Sequence, residues 1–351
     1  MITGWGFHAP PRVMTNADLE KLVDTSDQWI TDRTGIKERR IAADGETTST
    51  LAIAAAQKAL AKAHLRGGDV DLVVVATATP DYPFPATACL VQSAIGATRA
   101  GAFDISAACT GFVSALAAAN GMILGGAVKN ALVIGAETMS RVVDWTDRST
   151  CVLFGDGAGA VVLEASNASV GIESTVLHGD GSKGELLWIP GGGSRHPASK
   201  ESIELGLHFI KMNGSEVFKL AVRSMADASE EAIAAANLRL EDISLVIPHQ
   251  ANSRIIEAVA KRLKVPLEKV FINVQRYGNT SAATIPIALC EAVEQGRLKR
   301  GDKMLFCAFG GGFTWGAAVV EWFGEHAAPQ PKSPLDVAAR KLEDLVERVR
   351  I

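Results

Sequence analysis

The chain has 351 residues, 48% of them hydrophobic, and its 35 Lys and Arg against 39 Asp and Glu leave a formal charge of -4. That is enough apolar residue to bury a large core in two domain-sized units; it excludes a disordered chain, and the charge balance excludes a broad basic surface for nucleic acid. The opening MITGWGFHAP lacks a charged segment followed by a long apolar core, no run approaches the ~18 apolar residues of a membrane span, and the five cysteines are irregularly spaced. The expectation is a soluble, cytoplasmic protein with no membrane partner, no disulfide framework, no metal site, and reduced thiols, one of which is free to react.

Short β-rich runs alternate with Ala-rich helical stretches, the pattern of an α/β fold with buried central strands. DLVVVATA (71 to 78) reads as a strand. FDISAACTGFVSAL (103 to 116) then passes through small residues around Cys109 into a helix whose buried face holds Phe112, Leu116 and Ile123. ALVIGAE (131 to 137) is a second strand. GDGAGA (155 to 160) precedes the strand-like AVVLEA instead of opening a helix, so it is not a nucleotide loop. PGGGSRHPASKES (190 to 202) reads as a surface loop. SLVIPH (244 to 249) and MLFCAFG (304 to 310) are further strands. After Phe323 a Pro-bearing linker leads to an amphipathic helix with Leu342, Leu345, Val346 and Val349 on one face.

Leu72 to Leu132 and Leu245 to Leu305 both span 60 residues, so a shift of 173 lays one half of the chain on the other. The domains expected are an N-terminal half, 1 to 170, a C-terminal half, 171 to 323, and the linker with its tail, 324 to 351. Under the shift Cys109 falls on Ala282, inside YGNTSAATIPIAL (277 to 289), another small-residue turn leading into an apolar helix.

Two readings of Cys109 stand on its own segment: a thiol that fills space, or a nucleophile at the first turn of a helix, where unpaired N–H groups and the dipole favour a thiolate. His249 sits where a strand runs out, the place where α/β sheets gather ligand sites. Asn279, after Gly278, carries an amide that donates without changing charge, or is simply a turn residue. A thiol nucleophile with two hydrogen-bonding partners suits acyl transfer through a thioester. FGGGFTWG (309 to 316) adds a Gly-rich loop whose N–H is able to meet an oxyanion, or else a tight turn.

DISAACTGF, PHQANSRI, YGNTSAA and AFGGGFTWG, in this order and with DTSDQWITDRTGIKERR (24 to 40) near the start, resemble the β-ketoacyl-ACP synthase III family across residues 1 to 323. The resemblance implies a thiolase-like α/β fold, duplicated halves in a five-layered αβαβα arrangement, and a homodimer. It implies an initiating condensation of type II fatty acid synthesis without a cofactor, in which acyl-CoA and the malonyl thioester of acyl carrier protein are substrates. Cys109 would be the acylated nucleophile, His249 and Asn279 the pair that supports decarboxylation, and the N–H groups of Cys109 and Gly311 the oxyanion hole. Trp29, Arg33, Arg148 and Asn252 would meet CoA; Gln250, Arg254, Lys261 and Arg262 would meet the carrier protein; Phe84 would limit the acyl pocket across the dimer, favouring an acetyl primer. The loop at 190 to 202 and the tail after 323 depart from the family.

Three alternatives remain open: a synthase-III-like enzyme of secondary metabolism with another primer, a thiolase, and a non-catalytic partner subunit. A thiolase would need a second cysteine at position 308. That position is Ala308, and Cys307 lies on the opposite face of its strand.

Overall fold

The computed structural model describes residues 1–166 and 170–324; the helix expected through Leu342, Leu345, Val346 and Val349 lies outside the described residues. Leu72–Ala76 is buried at every position, as a β-branched run must be where helices cover both faces of a sheet. It pairs in parallel with Gly101–Ile105 on one side and Asn130–Thr138 on the other. Asp156–Glu164 and Ile2–His8 then continue the sheet antiparallel.

A second sheet repeats this plan. Its order is Ile172–Gly179, Thr314–Glu321, Lys303–Gly310, Leu245–Pro248. Counted within each half, the first strand lies beside the last, then comes the fourth, then the second. The edge strand is shortened here to one bridge, Val246 with Val270, supported by the Phe271 N–H donating to the Val246 carbonyl at 2.9 Å.

The period-2 alternation of strand side chains builds five layers. Leu72, Val74 and Ala76 face a shared middle layer, the helices Gly111–Leu124 and Thr284–Glu294, which meets Phe306, Ala308 and Val320 of the second sheet. Val73 and Val75 face outward, under the helix Thr48–Lys62. On the far side, Leu305, Cys307 and Phe309 pack beneath the helices Gly214–Ala235 and Ser253–Leu263.

The shift of 173 holds down to backbone detail at one place. The 3-10 turns Ala108–Thr110 and Ser281–Ala283 are 173 apart, both run straight into the middle helices, and both open on a non-glycine residue in the left-handed region, Ala108 at φ 44° and Ser281 at φ 49°. It fails at the last strands, which are offset by 158 from Asp156 to Thr314. The first half joins its last two strands through 139–155, whereas the second uses only 311–313. That long connector carries Arg148, Ser149 and Leu153. The segment 190–202 is mostly exposed, but its end is not loop: Ser199 caps a helix Lys200–Glu204, accepting from the Ser202 N–H while its own N–H donates to the Ser202 hydroxyl, a reciprocal cap that offsets the local Gly and Pro.

Candidate active site

The strand Gly101–Ile105 ends where Cys109 is presented, and two groups from the other half hold the turn. The Thr110 hydroxyl donates to the Thr314 carbonyl at 2.9 Å, and the Thr314 hydroxyl donates to the Ala107 carbonyl at 3.0 Å. A left-handed alanine costs about 1–2 kcal/mol, so Ala108 needs such over-determination. Gly310 sits against the turn: a Cβ there would lie 2.6 Å from the Cys109 nitrogen. No other residue lets the Lys303–Gly310 strand approach so closely.

Burial pushes the Cys109 thiol up to about 12, the Ser281 hydroxyl and the residue's own N–H pull it down, and the Glu137 carboxyl pushes it up again. Burial disfavours the thiolate here, opposite in direction to the helix terminus that the sequence suggested as an activator.

His249 follows the strand Leu245–Pro248, and its N–H extends the parallel ladder to the Cys307 carbonyl at 2.8 Å. Its Nδ1 lies 2.7 Å from the Thr284 hydroxyl, and burial lowers its pKa to about 3. The imidazole is neutral at every ordinary pH. Asn279 follows Gly278, whose φ of 63° and near approach to the Leu153 carbonyl, 2.7 Å from where a Cβ would lie, both demand glycine. The Asn279 backbone is pinned on both sides, its N–H donating to the Leu153 carbonyl and its carbonyl accepting from the Gly155 N–H. Its Oδ1 accepts from the Ser281 N–H at 2.8 Å, which turns the amide NH2 the other way as a free pair of donors. Cys109, His249, Asn279 and Gly311 all line one cavity of about 1590 Å³.

Trp29 does not line the cavity; two guanidiniums lie over its ring, Arg33 at 4.7 Å and Arg148, which also does not line the cavity, at 4.8 Å from the centroid. Arg148 also donates to the Asp24 carbonyl at 2.8 Å. Arg33 lines the cavity. Asn252 lines it too, and caps the helix Ser253–Leu263 by accepting from the Ile255 N–H at 2.9 Å. On that helix Arg254 reaches the cavity, while Lys261 and Arg262 are exposed two turns away. Arg262 is paired with Asp227 at 2.9 Å.

The expectation that Gln250 meets a carrier protein is corrected. It is buried; its NH2 donates to the Pro248 and Phe271 carbonyls and its Oε1 accepts from the Asn273 N–H. Every polar atom of the amide is spent on locking the strand end behind His249. Phe84 is 85% exposed in the single chain and does not line the cavity. Cys307 packs away from the site, beside Ser229 of the helix Gly214–Ala235.

The sequence reading missed Ser281, Thr284 and Glu137. The buried Glu137 carboxyl accepts from the Thr79 hydroxyl at 2.5 Å and the Ala78 N–H at 3.1 Å; burial is the larger influence and raises its pKa, while nearby Thr79, Ser281 and the N–H groups of Ala78 and Ala282 lower it. The duplication could have found it. Position 137 shifted by 173 is Gly310, so the two halves place a carboxylate and a bare glycine at the matching turns. The Glu137 carboxyl lies towards the turn at Ala282; Gly310 leaves the matching Cys109 N–H without a side chain over it. Among the described residues no group of three or more His, Cys, Asp or Glu is placed to hold a metal ion, and no helix is long and apolar enough to cross a membrane.

Comparison with known proteins gives this arrangement its relatives. The family model described as 3-Oxoacyl-[acyl-carrier-protein (ACP)] synthase III matches residues 103–181, and the C-terminal model of the same family matches 233–322. The chain is 57% identical over 321 residues to the β-ketoacyl-[acyl-carrier-protein] synthase III of Roseiflexus castenholzii, covering 92% of this chain and 97% of that protein. The crystal structure of 3-oxoacyl-[acyl-carrier-protein] synthase III from Aquifex aeolicus VF5 superposes with a TM-score of 0.85 at 53% identity, over 92% of this chain and 99% of that one. The priming β-ketosynthase from the R1128 polyketide biosynthetic pathway superposes with a TM-score of 0.86 at 34% identity, over 93% of this chain and 96% of that one.

Proposed function

Because the chain belongs to the 3-oxoacyl-[acyl-carrier-protein] synthase III family, a family of acyltransferases with the thiolase fold, we propose that Cys109, His249 and Asn279 carry its initiating condensation between an acyl-CoA and malonyl carrier protein. The observation that carries this assignment is the convergence of a buried thiol, a neutral imidazole and an amide with its NH2 turned free on one cavity. Cys109 Sγ attacks the acyl thioester; the new carbon–sulfur bond forms as the bond to CoA breaks, and the thiol proton leaves with the CoA sulfur. The Cys109 and Gly311 N–H groups meet the transient oxyanion. The malonyl thioester then loses carbon dioxide, its bonding pair passing into an enolate held by donors from His249 and Asn279. The enolate carbon attacks the acyl group, and the sulfur departs and is reprotonated.

Neutrality of His249 suits this role. A neutral ring that donates one hydrogen bond stabilises charge as it develops and carries none of its own to desolvate. Stacking on Trp29 with its two guanidiniums suits the adenine of CoA, and Arg33 a phosphate. We propose a short primer, acetyl, and a homodimer in the cytoplasm; exposed Phe84 and Tyr82 (85% and 55%) form an apolar pair that a second copy would cover. The halves 1–170 and 171–323 are read as the duplicated units, supported by the matching sheet orders. Identity of 57% and 53% to the two synthase III relatives, against 34% to the polyketide priming enzyme, favours primary metabolism.

Incubation with a panel of acyl-CoAs followed by peptide mass spectrometry tests the reading: an acetyl adduct is expected on the peptide bearing Cys109. Absence of any adduct across the panel would overturn it. For the carrier protein, the structure sharpens which cation to test. Arg254 lines the cavity and acts on both substrates, whereas Lys261 stands off it. Lys261→Glu should raise KM for the malonyl carrier protein about 3- to 10-fold and leave acyl-CoA transfer unchanged; equal effects on both half-reactions would refute a docking role.

A further inference from the structure

Thr284 is the first residue of the helix Thr284–Glu294 and is buried outside the cavity. Its hydroxyl has one proton and two acceptors within reach, His249 Nδ1 at 2.7 Å and the Ser281 carbonyl at 3.0 Å. The choice between them decides the chemistry at the other end of the ring. If the hydroxyl serves the carbonyl, Nδ1 must carry the imidazole proton to satisfy the contact, and Nε2 meets the cavity as a bare lone pair. If it serves Nδ1, the proton lies on Nε2, and the cavity is offered a donor.

Two features favour the second state. The Ser281 carbonyl already accepts from the Thr284 N–H, so turning the hydroxyl away orphans no buried acceptor, whereas an Nε2 lone pair facing an enolate oxygen would repel the charge it must hold. Resting on the role of His249 argued above, we propose that Thr284 is a positioning residue that donates its hydroxyl proton to Nδ1 and so fixes His249 in the tautomer with hydrogen on Nε2. The same short turn then orients both donors: the Ser281 N–H sets the Asn279 amide, and the Thr284 hydroxyl sets the ring.

The test pairs a spectrum with a rate on the full-length protein. In histidine-labelled 15N protein, with the His249→Ala spectrum to assign the signal, the wild type and Thr284→Ser should show a bare Nδ1 and a protonated Nε2; Thr284→Val should show the two tautomers averaged. Condensation kcat should fall roughly 10- to 100-fold in Thr284→Val, with KM for the malonyl carrier protein and the acylation of Cys109 unchanged, and Thr284→Ser should restore it. A protonated Nδ1 in the wild type, or full condensation by Thr284→Val, overturns the proposal. A His249→Ala variant that condensed at the wild-type rate would instead remove the role of His249 itself, and leaves a different signature because the tautomer of the wild-type ring is read independently of turnover.

Discussion

Cys109→Ala should end covalent capture of the acyl group while leaving malonyl decarboxylation intact. Loss of the nucleophile removes the only atom that accepts the acyl chain, so acylation should drop by at least about 10⁴-fold. The turn itself should survive. Its duplicate holds Ala282 in the place of the thiol, in the same 3-10 turn entered from the same left-handed residue, so alanine fits this backbone. The donors proposed for decarboxylation come from other segments, the strand end at His249 and the turn at Asn279. Neither His249 nor Asn279 hydrogen-bonds to Cys109 through its side chain in the resting site: His249 holds Thr284 and Asn279 holds Ser281. Acyl adducts read by mass and carbon dioxide release from malonyl carrier protein separate the two half-reactions. Decarboxylation lost together with acylation would mean that the thiol also shapes the enolate site.

Strand positions were legible because the central strands are buried on both faces and so spelled as continuous apolar runs. Leu72–Ala76 and Leu245–Pro248 are two such cases, each read with edges within two residues of those observed. The duplication was legible for the same reason: equal strand spacing survives in sequence wherever the connecting helices keep their lengths. It became invisible at the last strand, where the 139–155 connector breaks the frame and adds Met139, Val142, Ser149 and Leu153 to the cavity wall. The cavity thus joins turns where the repeat is exact to a connector where it fails.

At the site, the residues proposed to touch substrate carry recognisable types, Cys, His and Asn, and the structure brings them to one cavity. The residues that hold them were not legible. Thr284 and Ser281 read as ordinary turn and helix-start residues, and Glu137 as the polar end of a strand, because a hydroxyl's partner depends on which chain segments meet in space. Gln250 erred the other way. Its contact with a carrier protein was implied by the family resemblance alone, but the parallel ladder ends beneath it and three backbone groups claim its amide.

His249→Ala should acylate Cys109 at close to the wild-type rate and Asn279→Ala a few-fold more slowly, and both should condense about 10²- to 10³-fold more slowly, the usual cost of removing one donor from a preorganised charge-stabilising pair. The two losses differ in how far they spread. Without the ring, the Thr284 hydroxyl returns to the Ser281 carbonyl at 3.0 Å, so nothing polar is stranded there and the effect stays with the enolate. Without the amide, the Ser281 N–H loses its acceptor in a buried turn, an orphan costing about 1–3 kcal/mol, and the turn that carries Ser281 beside the Cys109 thiol is loosened with it. Asn279→Ala should therefore also lower stability and slow acylation by a few-fold, where His249→Ala does not. Asn279→Asp separates the two contributions: its carboxylate keeps an acceptor for the Ser281 N–H but presents negative charge where the NH2 donated. Acylation should return towards the wild-type rate and condensation should stay lost, because the enolate then faces a like charge. Rapid condensation by Asn279→Asp at neutral pH would show that the amide serves the turn alone, and that His249 with its single Nε2 proton bears the whole developing charge.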